Sequence, residues 1–297
     1  MRIQITNDDG IGSEGLQVLA AAVHRAVAGS GHEVVVAAPS KDWSGAGASI
    51  GIFRPDEQLS VERMELDGAP GVEAWAIDGP PALTVLASRL GAVGDPPDLI
   101  VSGTNAGWNN GRLVLHSGTV GAVLTGQNFG VSGLAVSVAS PADGVSWEWE
   151  TAADVAVSVL PLLMAAPPRS ALNLNVPSLA GPEVRGVRWA RLAPFGAVRA
   201  AVASREDGKV QFELVASDHT PDPDTDVALL AEGYATLTAL VGVTEAWSSI
   251  LGAAGESLPE VHEHVVPGAP LLPVHEVPGG HDWSLHRPVL GEDVTGA

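Results

Sequence analysis

The sequence predicts an α/β protein: a Rossmann-like, doubly wound and mostly parallel sheet with a smaller β-rich C-terminal part. Two observations lead to this fold class. Short apolar segments alternate with segments of helical periodicity along residues 1–184, which is the pattern of strands joined by crossover helices. Two of the apolar segments, 33–38 and 98–102, are nearly uninterrupted, as is typical of parallel strands buried on both faces.

The elements of the first half follow one another at short intervals. Ile3 and Ile5 alternate with polar residues as in a strand, and helical spacing follows Ser13 and Glu14, which suit a helix start. The further elements predicted in this half are a strand at 33–38, β-rich segments between 50 and 78, a helix opened by Pro80 and Pro81, and a strand at 98–102.

The second half continues the alternation and then changes its period near residue 185. The predicted elements are a helix at 118–126, a strand at 131–137, a helix at 149–163, a strand at 172–177, and β-rich stretches around 210–214 and 234–238. Val187 and Trp189 alternate with polar neighbours, which predicts a half-buried strand. We therefore expect a Rossmann-like domain at 1–184, a β-rich arm at 185–250 and an irregular C-terminal tail at 251–297.

The net charge of −20, from 35 acidic and 15 basic residues, restricts the possible partners. It disfavours binding to a nucleic acid polymer or to an anionic membrane, so we expect neither. No apolar run reaches the length of a membrane span, and Met1 leads directly into the first predicted strand, which predicts no signal peptide. The absence of cysteine excludes disulfides and thiolate metal sites. We expect a cytoplasmic protein.

Two adjacent carboxylates, Asp8 and Asp9, lie where the first predicted strand ends and the first helix begins. In an open α/β sheet, ligands bind at such positions. Adjacent carboxylates repel each other unless a cation lies beside them, and hard oxygen ligands suit Mg²⁺, Mn²⁺ or Ca²⁺. Taken alone, the pair favours the alternative that the two residues only form a turn and cap the helix.

Two further loops at predicted strand ends are rich in glycine and short polar side chains. One contains Ser44, and the other runs from Gly103 to Ser117. Glycine lets backbone N–H groups approach a ligand, and the helix that opens at Gly118 offers an N-terminus that favours phosphate. Ordinary turn chemistry is the alternative for each loop taken singly. With a cation on the carboxylates, the three loops predict a site for a small phosphorylated molecule.

These motifs resemble the SurE family, the stationary-phase survival proteins, which are metal-dependent 5'/3'-nucleotidases. The resemblance runs in order from residue 1 to about 245. Its strongest segments are Ile5-Thr6-Asn7-Asp8-Asp9-Gly10-Ile11, Ala38-Pro39 with Ser44-Gly45, Val101-Ser102-Gly103-Thr104-Asn105 with Gly107 and Asn109, and His116-Ser117-Gly118-Thr119-Val120. Weaker matches are Asn173-Leu174-Asn175-Val176-Pro177 and Asp224-Thr225-Asp226 before Gly233-Tyr234.

The resemblance implies a phosphomonoesterase that hydrolyses nucleoside monophosphates, with residues 1–184 as its catalytic domain. The residues implied to bind one divalent cation, Mg²⁺ or Mn²⁺, are Asp8, Asp9, Ser44 and Asn105. The residues implied to hold phosphate oxygens are Asn109, Ser117 and Thr119. Whether Asp8 acts as ligand, base or nucleophile stays open. His116 is a secondary candidate for the general acid, with a structural hydrogen-bonding role as the alternative.

Departures from the family pattern leave two alternative functions open. In the 40–48 loop, Ser40 stands where the family has aspartate, Trp43 where it usually has a basic residue and Ala48 where it has a more polar one. This altered loop motivates a phosphatase of the same fold acting on a sugar phosphate or a phosphorylated biosynthetic intermediate. The other alternative is a non-catalytic nucleotide-binding protein. Trp43 and Trp108 either stack on a base or sugar or serve as hydrophobic cover, and we favour cover.

By analogy with the family, the arm at 185–250 pairs between subunits, which predicts a homodimer or homotetramer. The tail at 251–297 is rich in proline, glycine and histidine. We expect a solvated tail, with a second metal site among His262, His264, His281 and His286 as the alternative.

Overall fold

The computed structural model of the protein describes residues 1–51, 56, 58–194, 198–206, 209–216 and 220–244. The predicted tail and its histidines lie outside these described residues. The chain divides into two units, Met1–Gly242 and Val243–Ala297, and every element described below belongs to the first. The domain boundaries at 184 and 250 stay predictions.

Strands and helices alternate along most of the first unit. The strands are β1 (Arg2–Thr6), β2 (Glu33–Pro39), β3 (Val61–Met64), β4 (Glu73–Ile77), β5 (Leu99–Ala106), β6 (Ser132–Val138), β7 (Ala171–Val176), β8 (Val187–Trp189), β9 (Val198–Glu206), β10 (Lys209–Ala216) and β11 (Ala235–Leu240). The α-helices are α1 (Glu14–Ala26), α2 (Pro81–Arg89), α3 (Gly118–Asn128), α4 (Trp149–Ala165) and α5 (Asp226–Ala231), and 3₁₀ turns lie at Gly111–His116 and Gly181–Glu183.

Nine of these strands form one sheet in the order β3-β4-β2-β1-β5-β6-β7-β11-β8. The six strands from β4 to β7 are mutually parallel, whereas β3 and β11 pair antiparallel with their neighbours β4 and β7. Strands β9 and β10 form a separate antiparallel pair. The predicted fold class, a mostly parallel α/β sheet with added antiparallel strands, is confirmed.

Strand β1 lies at the topological switch point of the sheet. The chain leaves β1 towards β2 on one side and returns as β5 on the other side. Successive crossovers that diverge in this way open a crevice at the carboxyl ends of the two strands. The loop after β1, which carries Asp8 and Asp9, and the end of β5, which carries Asn105, therefore meet at the same edge of the sheet.

The two faces of the sheet are buried against different helices. Ile3, Ile5 and Leu134 pack in one core with residues of α1 and α4, and Ile100 packs with Val120 of α3 in another. Ile100 belongs to the second core because successive strand residues point to opposite faces. Gln4 and Thr6 are also fully buried, so the polar alternation in β1 marks a strand covered on both faces rather than a solvated one.

Strand β8 corrects one expectation. The strand forms at Val187–Trp189 as predicted, but the prediction that it is half-buried is wrong. In the single chain Val187 is 41 % exposed and Trp189 is 60 % exposed. The reason is its position, because among the strands that the structure describes β8 is the last of the sheet and has β11 as its one neighbour.

Candidate functional site

Asp8 is a buried carboxylate packed against the N-terminus of α3. Only 3 % of the residue is exposed, and Thr119 Oγ1 donates a hydrogen bond of 2.5 Å to its Oδ1. A Cβ atom built on Gly118 would lie 2.8 Å from Asp8 Oδ2, so only glycine allows this approach. Burial raises the pKa of Asp8, and hydrogen bonds from Thr119 and Gly118 partly oppose that shift.

Asp9 shares the electrostatic environment of Asp8. Burial and the neighbouring charge of Asp8 raise the pKa of Asp9 to about 6, although the backbone N–H of Ala106 donates to Asp9 Oδ2 at 3.4 Å. Asp42 adds a further repulsive charge. The site thus concentrates negative charge where water is partly excluded. A divalent cation bound by oxygen ligands is the counter-charge that such an arrangement accommodates.

The side chain of Asn105 uses its amide nitrogen in a hydrogen bond to the loop that follows β5. Its Nδ2 donates to the carbonyl of Gly107 at 2.7 Å, which leaves Oδ1 as an acceptor. Asn105 is also the neighbour of Ala106, whose N–H contacts Asp9. Because β5 continues as far as Ala106, Asn105 belongs to the strand itself rather than to the loop that the sequence predicted.

Ser44 belongs to a loop that is joined to the backbone at Asp8. The N–H of Trp43 donates to the carbonyl oxygen of Asp8 at 2.8 Å. Ser44 itself is exposed, and both its N–H and its Oγ donate to Asp42 Oδ1 at 2.7 Å. These bonds lower the pKa of Asp42. Since its proton is directed to a carboxylate, the Ser44 hydroxyl retains lone pairs for a cation.

The candidate ligands fit a hard divalent ion by their chemistry. Within the residues that the structure describes, no group of three or more His, Asp or Glu side chains is arranged to hold a metal ion. A cation at this edge therefore depends on the neutral oxygens of Ser44 and Asn105 as well as on the two carboxylates. An all-oxygen set of this kind suits Mg²⁺ or Mn²⁺.

The Ser44 loop and the start of α3 touch through their backbones. The N–H of Gly47 donates to the carbonyl of His116 at 3.1 Å. A Cβ atom built on Gly121 would lie 2.2 Å from the oxygen of Gly47. Two glycines thus let the second and third loops of the site meet without an intervening side chain.

Asn109 and Thr119 face each other beside Asp8. Asn109 Nδ2 donates to Ser137 Oγ at 2.9 Å and lies 3.4 Å from Thr119 Oγ1. A hydrogen-bonded chain therefore connects Ser137 through Asn109 and Thr119 to Asp8. These groups lie beside the first turn of α3, where unpaired backbone N–H groups attract anions.

Ser117 and His116 have different surroundings. Ser117 Oγ accepts the N–H of Val120 at 3.1 Å, which makes it the N-cap of α3 and confirms the predicted helix start. Its hydroxyl proton remains available for a ligand. His116 is exposed, and its backbone carbonyl accepts the Gly47 N–H. The imidazole is therefore accessible to solvent at the rim of the site.

Two residues of this site were not among those predicted from sequence. Asp42 contacts Ser44, and the Asp-x-Ser spacing that allows such a turn could have signalled it. Ser137 contacts Asn109, and its only signal is a serine inside an otherwise apolar strand.

The two tryptophans are held by protein contacts. Trp108 is partly buried, and its Nε1 donates to the carbonyl of Val176 at 3.1 Å. Trp43 is also partly buried, and the ammonium of Lys41 lies 5.2 Å from its ring centroid. Both contacts are consistent with rings that cover the loops.

A cleft of about 500 Å³ lies away from these loops, between β8 and α5. Its lining is Val187, Arg188, Trp189, Pro223, Asp224 and Leu229. It contains none of the predicted site residues, so we assign the chemistry to the switch point. In the described part of the chain, no helix has both the length and the apolar character that crossing a bilayer requires.

The fold and the site together define a class: Rossmann-like α/β proteins with paired carboxylates at the switch point, opposite the N-terminus of a helix. Comparison with known families gives the particular family. The profile described as "Survival protein SurE" matches residues 3–196. The chain belongs to the SurE family.

Individual relatives agree with this assignment over most of the chain. A protein of Chloroflexus aggregans named 5'-nucleotidase SurE is 40 % identical over 246 residues, covering 80 % of this chain and 92 % of the relative. A protein of Gloeobacter violaceus with the same name is 37 % identical over 248 residues, covering 81 % and 89 %. The crystal structure of the SurE protein from Aquifex aeolicus superposes with a TM-score of 0.67 at 27 % identity, covering 85 % of this chain and 98 % of that one.

Proposed function

We propose that the protein is a metal-dependent phosphomonoesterase that hydrolyses nucleoside monophosphates, as a 5'-nucleotidase. The names of its relatives support this reaction class. The observation that carries it is the position of Asp8, a buried carboxylate in contact with the first residues of a helix that offers an anion site. A cation and a phosphate can then lie side by side.

The residues that would hold the cation are Asp8, Asp9, Ser44 and Asn105, and we propose Mg²⁺ or Mn²⁺. When bound, such an ion neutralises phosphoryl charge and lowers the pKa of a coordinated water. The high pKa of Asp9 and the burial of Asp8 support the assignment, because both carboxylates gain stability from a nearby positive charge.

The residues that would orient the phosphate are Asn109, Ser117 and Thr119. The amide of Asn109 and the hydroxyls of Ser117 and Thr119 lie around the first turn of α3, and a helix N-terminus favours the binding of an anion. His116 is exposed at the rim, so its imidazole can take up a proton from solvent and donate it to the leaving oxygen. With so few basic side chains, the backbone N–H groups and the Ser117 hydroxyl carry most of the recognition, since the Thr119 hydroxyl donates to Asp8.

The test is phosphate release from a panel of nucleoside monophosphates by the full chain with Mn²⁺ or Mg²⁺. We expect EDTA to abolish turnover, added Mn²⁺ to restore it, and Asp8→Asn to lower kcat/KM by more than about 100-fold. Asp154→Asn, on the exposed face of α4, is the matched control and should behave as wild type. Turnover that persists in excess EDTA would contradict the proposal.

A second candidate is a phosphatase acting on a sugar phosphate or a phosphorylated biosynthetic intermediate. A polar cleft of about 220 Å³ where β2 leads into the Ser44 loop supports it, lined by Ser40, Ser60, Glu62, Ala76 and Asp78. Hydroxyls and carboxylates of this kind hydrogen-bond to sugar hydroxyls. A panel in which sugar phosphates are hydrolysed more efficiently than nucleotides would select this function. Tight nucleotide binding without turnover would instead indicate a non-catalytic binding protein.

We also propose a homodimer or homotetramer in the cytoplasm. The exposed edge strand β8, with Trp189 60 % exposed, supports association through the C-terminal part of the chain. Light scattering after size-exclusion chromatography tests it, and a monomeric mass at micromolar concentration would contradict it.

A further inference from the structure

Two asparagines of β7, Asn173 and Asn175, form hydrogen bonds to the backbone of Asn109. Asn175 Oδ1 accepts the N–H of Asn109 at 2.8 Å, and Asn175 Nδ2 donates to the Asn109 carbonyl at 3.0 Å. Asn173 Nδ2 donates to the same carbonyl at 2.8 Å. The amide of Asn175 thus satisfies both polar groups of one residue, which fixes the orientation of that peptide.

Both asparagines are polar residues buried in the interior of the sheet domain. Asn173 is 0 % exposed and Asn175 is 1 % exposed, so each requires hydrogen-bond partners to offset its desolvation. They point to the same face because they are two residues apart on one strand. Ser137, which contacts the side chain of Asn109, is the registered partner of Asn175 on β6. The backbone and the side chain of Asn109 are therefore held from adjacent strands.

Asp226 holds the same loop at a second point, Gly111, which lies two residues after Asn109. Its Oδ2 accepts the N–H of Gly111 at 2.7 Å, and its Oδ1 accepts the N–H groups of Ala193 at 2.9 Å and Val227 at 2.8 Å. Asp226 is 0 % exposed. One buried carboxylate at the start of α5 therefore ties the loop of the site to residues beyond 190.

We propose that Asn175 and Asp226 are positioning residues, which hold the segment 109–111 so that the side chain of Asn109 faces the phosphate position beside Thr119. The proposal rests on the proposed phosphomonoesterase function. Neither residue touches the candidate metal ligands through a hydrogen bond within the described residues. They act on the phosphate side of the site through the main chain, and leave the cation side in place.

The test replaces the Asn175 amide in the full-length protein. Asn175→Ala removes both hydrogen bonds to Asn109, and Asn175→Asp keeps the acceptor but places an oxygen against the Asn109 carbonyl. We expect each variant to lower kcat/KM about 10-fold to 100-fold and to weaken inhibition by inorganic phosphate to a similar extent. Mn²⁺ affinity, measured by calorimetry without substrate, should stay within about 2-fold of wild type, because no candidate ligand is changed.

Controls separate positioning from a general loss of structure. Asn128→Ala, on the exposed C-terminal turn of α3, should match wild type in all three measurements. Asp226→Asn perturbs the same loop independently of Asn175. The amide nitrogen of the new asparagine would face the Gly111 N–H, where the wild type has an acceptor oxygen. Circular dichroism and Tm give the folded fraction, to which all rates are normalised.

The possible outcomes are distinct. Wild-type protein without turnover would overturn the proposed function itself. Wild-type turnover with unchanged kinetics and phosphate inhibition in both Asn175→Asp and Asp226→Asn would overturn the positioning role alone. Loss of Mn²⁺ affinity in parallel with activity, in the folded protein, would also overturn it, because the residues would then act on the whole site.

Discussion

Gly118 shows how a single missing side chain shapes the site. The residue opens α3, and its Cα approaches the carboxylate of Asp8 so closely that a Cβ atom would lie 2.7 Å from Asp8 Cβ. A carboxylate and a helix N-terminus can meet in this way only where no side chain intervenes. The glycine therefore links the predicted cation position to the predicted phosphate position.

We predict that Gly118→Ala displaces Asp8 and lowers kcat/KM at least about 10-fold while the fold is retained. The neighbouring atoms belong to Asp8 near its backbone, so the carboxylate has to move. Steady-state kinetics with Tm as a companion measurement checks this. Gly12→Ala is the matched control, because a Cβ atom there meets nothing within 4 Å. Equal activity of Gly118→Ala and wild type would show that the contact is not needed.

At this scale the sequence was informative where neighbours in sequence are neighbours in space. The positions of Asp8 and Asp9 after a strand end and of Ser117 at a helix start could be predicted, because both are local patterns. The contact between Asn109 and Ser137 could not, because it joins residues 28 positions apart on different elements. The contact between Ser44 and Asp42, by contrast, joins residues two positions apart and was within reach of a local pattern.

At the scale of elements, the packing of α3 on the second loop determines where Ser44 lies. Gly121 faces Gly47 across this contact, and both partners are backbone. Backbone atoms cannot rotate away as a flexible side chain can. The loop therefore keeps its distance from the helix as long as both positions are glycine.

We predict that Gly121→Ala pushes the 43–49 loop away from α3 and weakens Mn²⁺ binding about 10-fold or more. The reason is that Ser44 moves with the loop while Asp8 and Asp9 stay. Calorimetric titration of the substrate-free protein measures the effect. Gly181→Ala serves as control, since the nearest atom to its Cβ would be Thr151 Oγ1 at 3.8 Å. Unchanged affinity in a folded Gly121→Ala protein would refute the proposed link.

Most elements could be predicted because their periodicity reflects burial. The parallel strands of the centre are apolar runs, and α2 begins at Pro81 as the proline pair indicates. Edge position cannot be read in the same way. Val187 and Trp189 have the alternation of a half-buried strand, yet both are exposed because β8 lies at the edge of the sheet. Which strand lies at the edge depends on contacts between residues far apart in sequence.

At the scale of the whole molecule, Asp226 is a titratable group held between distant segments. Burial raises its pKa, so the folded protein binds this proton more tightly than the unfolded chain does. Its contribution to stability is therefore fully present below the pKa of the unfolded chain. That contribution is lost as the pH rises through the pKa of the folded state.

We predict that the free energy of unfolding of wild type, relative to Asp226→Asn, decreases as the pH rises from about 4 to about 7. Asparagine does not titrate, so the difference isolates this carboxyl from the other acidic groups. Urea midpoints at each pH give the two curves. Asp154→Asn, at an exposed position, is the control for the effect of the substitution itself. A difference that grows with pH would mean that the folded state favours the carboxylate.

The hydrogen bond from Gly111 to Asp226 joins residues 115 positions apart in the chain, and the hydrogen bond from Asn175 to Asn109 joins residues 66 positions apart. During synthesis the loop that bears Asp8 and Asp9 leaves the ribosome more than 200 residues before Asp226. Both carboxylates are therefore present on the nascent chain before the residues that hold Asn109 and Gly111 have been synthesised. We expect the cation side of the site to form before the phosphate side. The contacts that fix the phosphate side join residues far apart in sequence, and such contacts form late in folding.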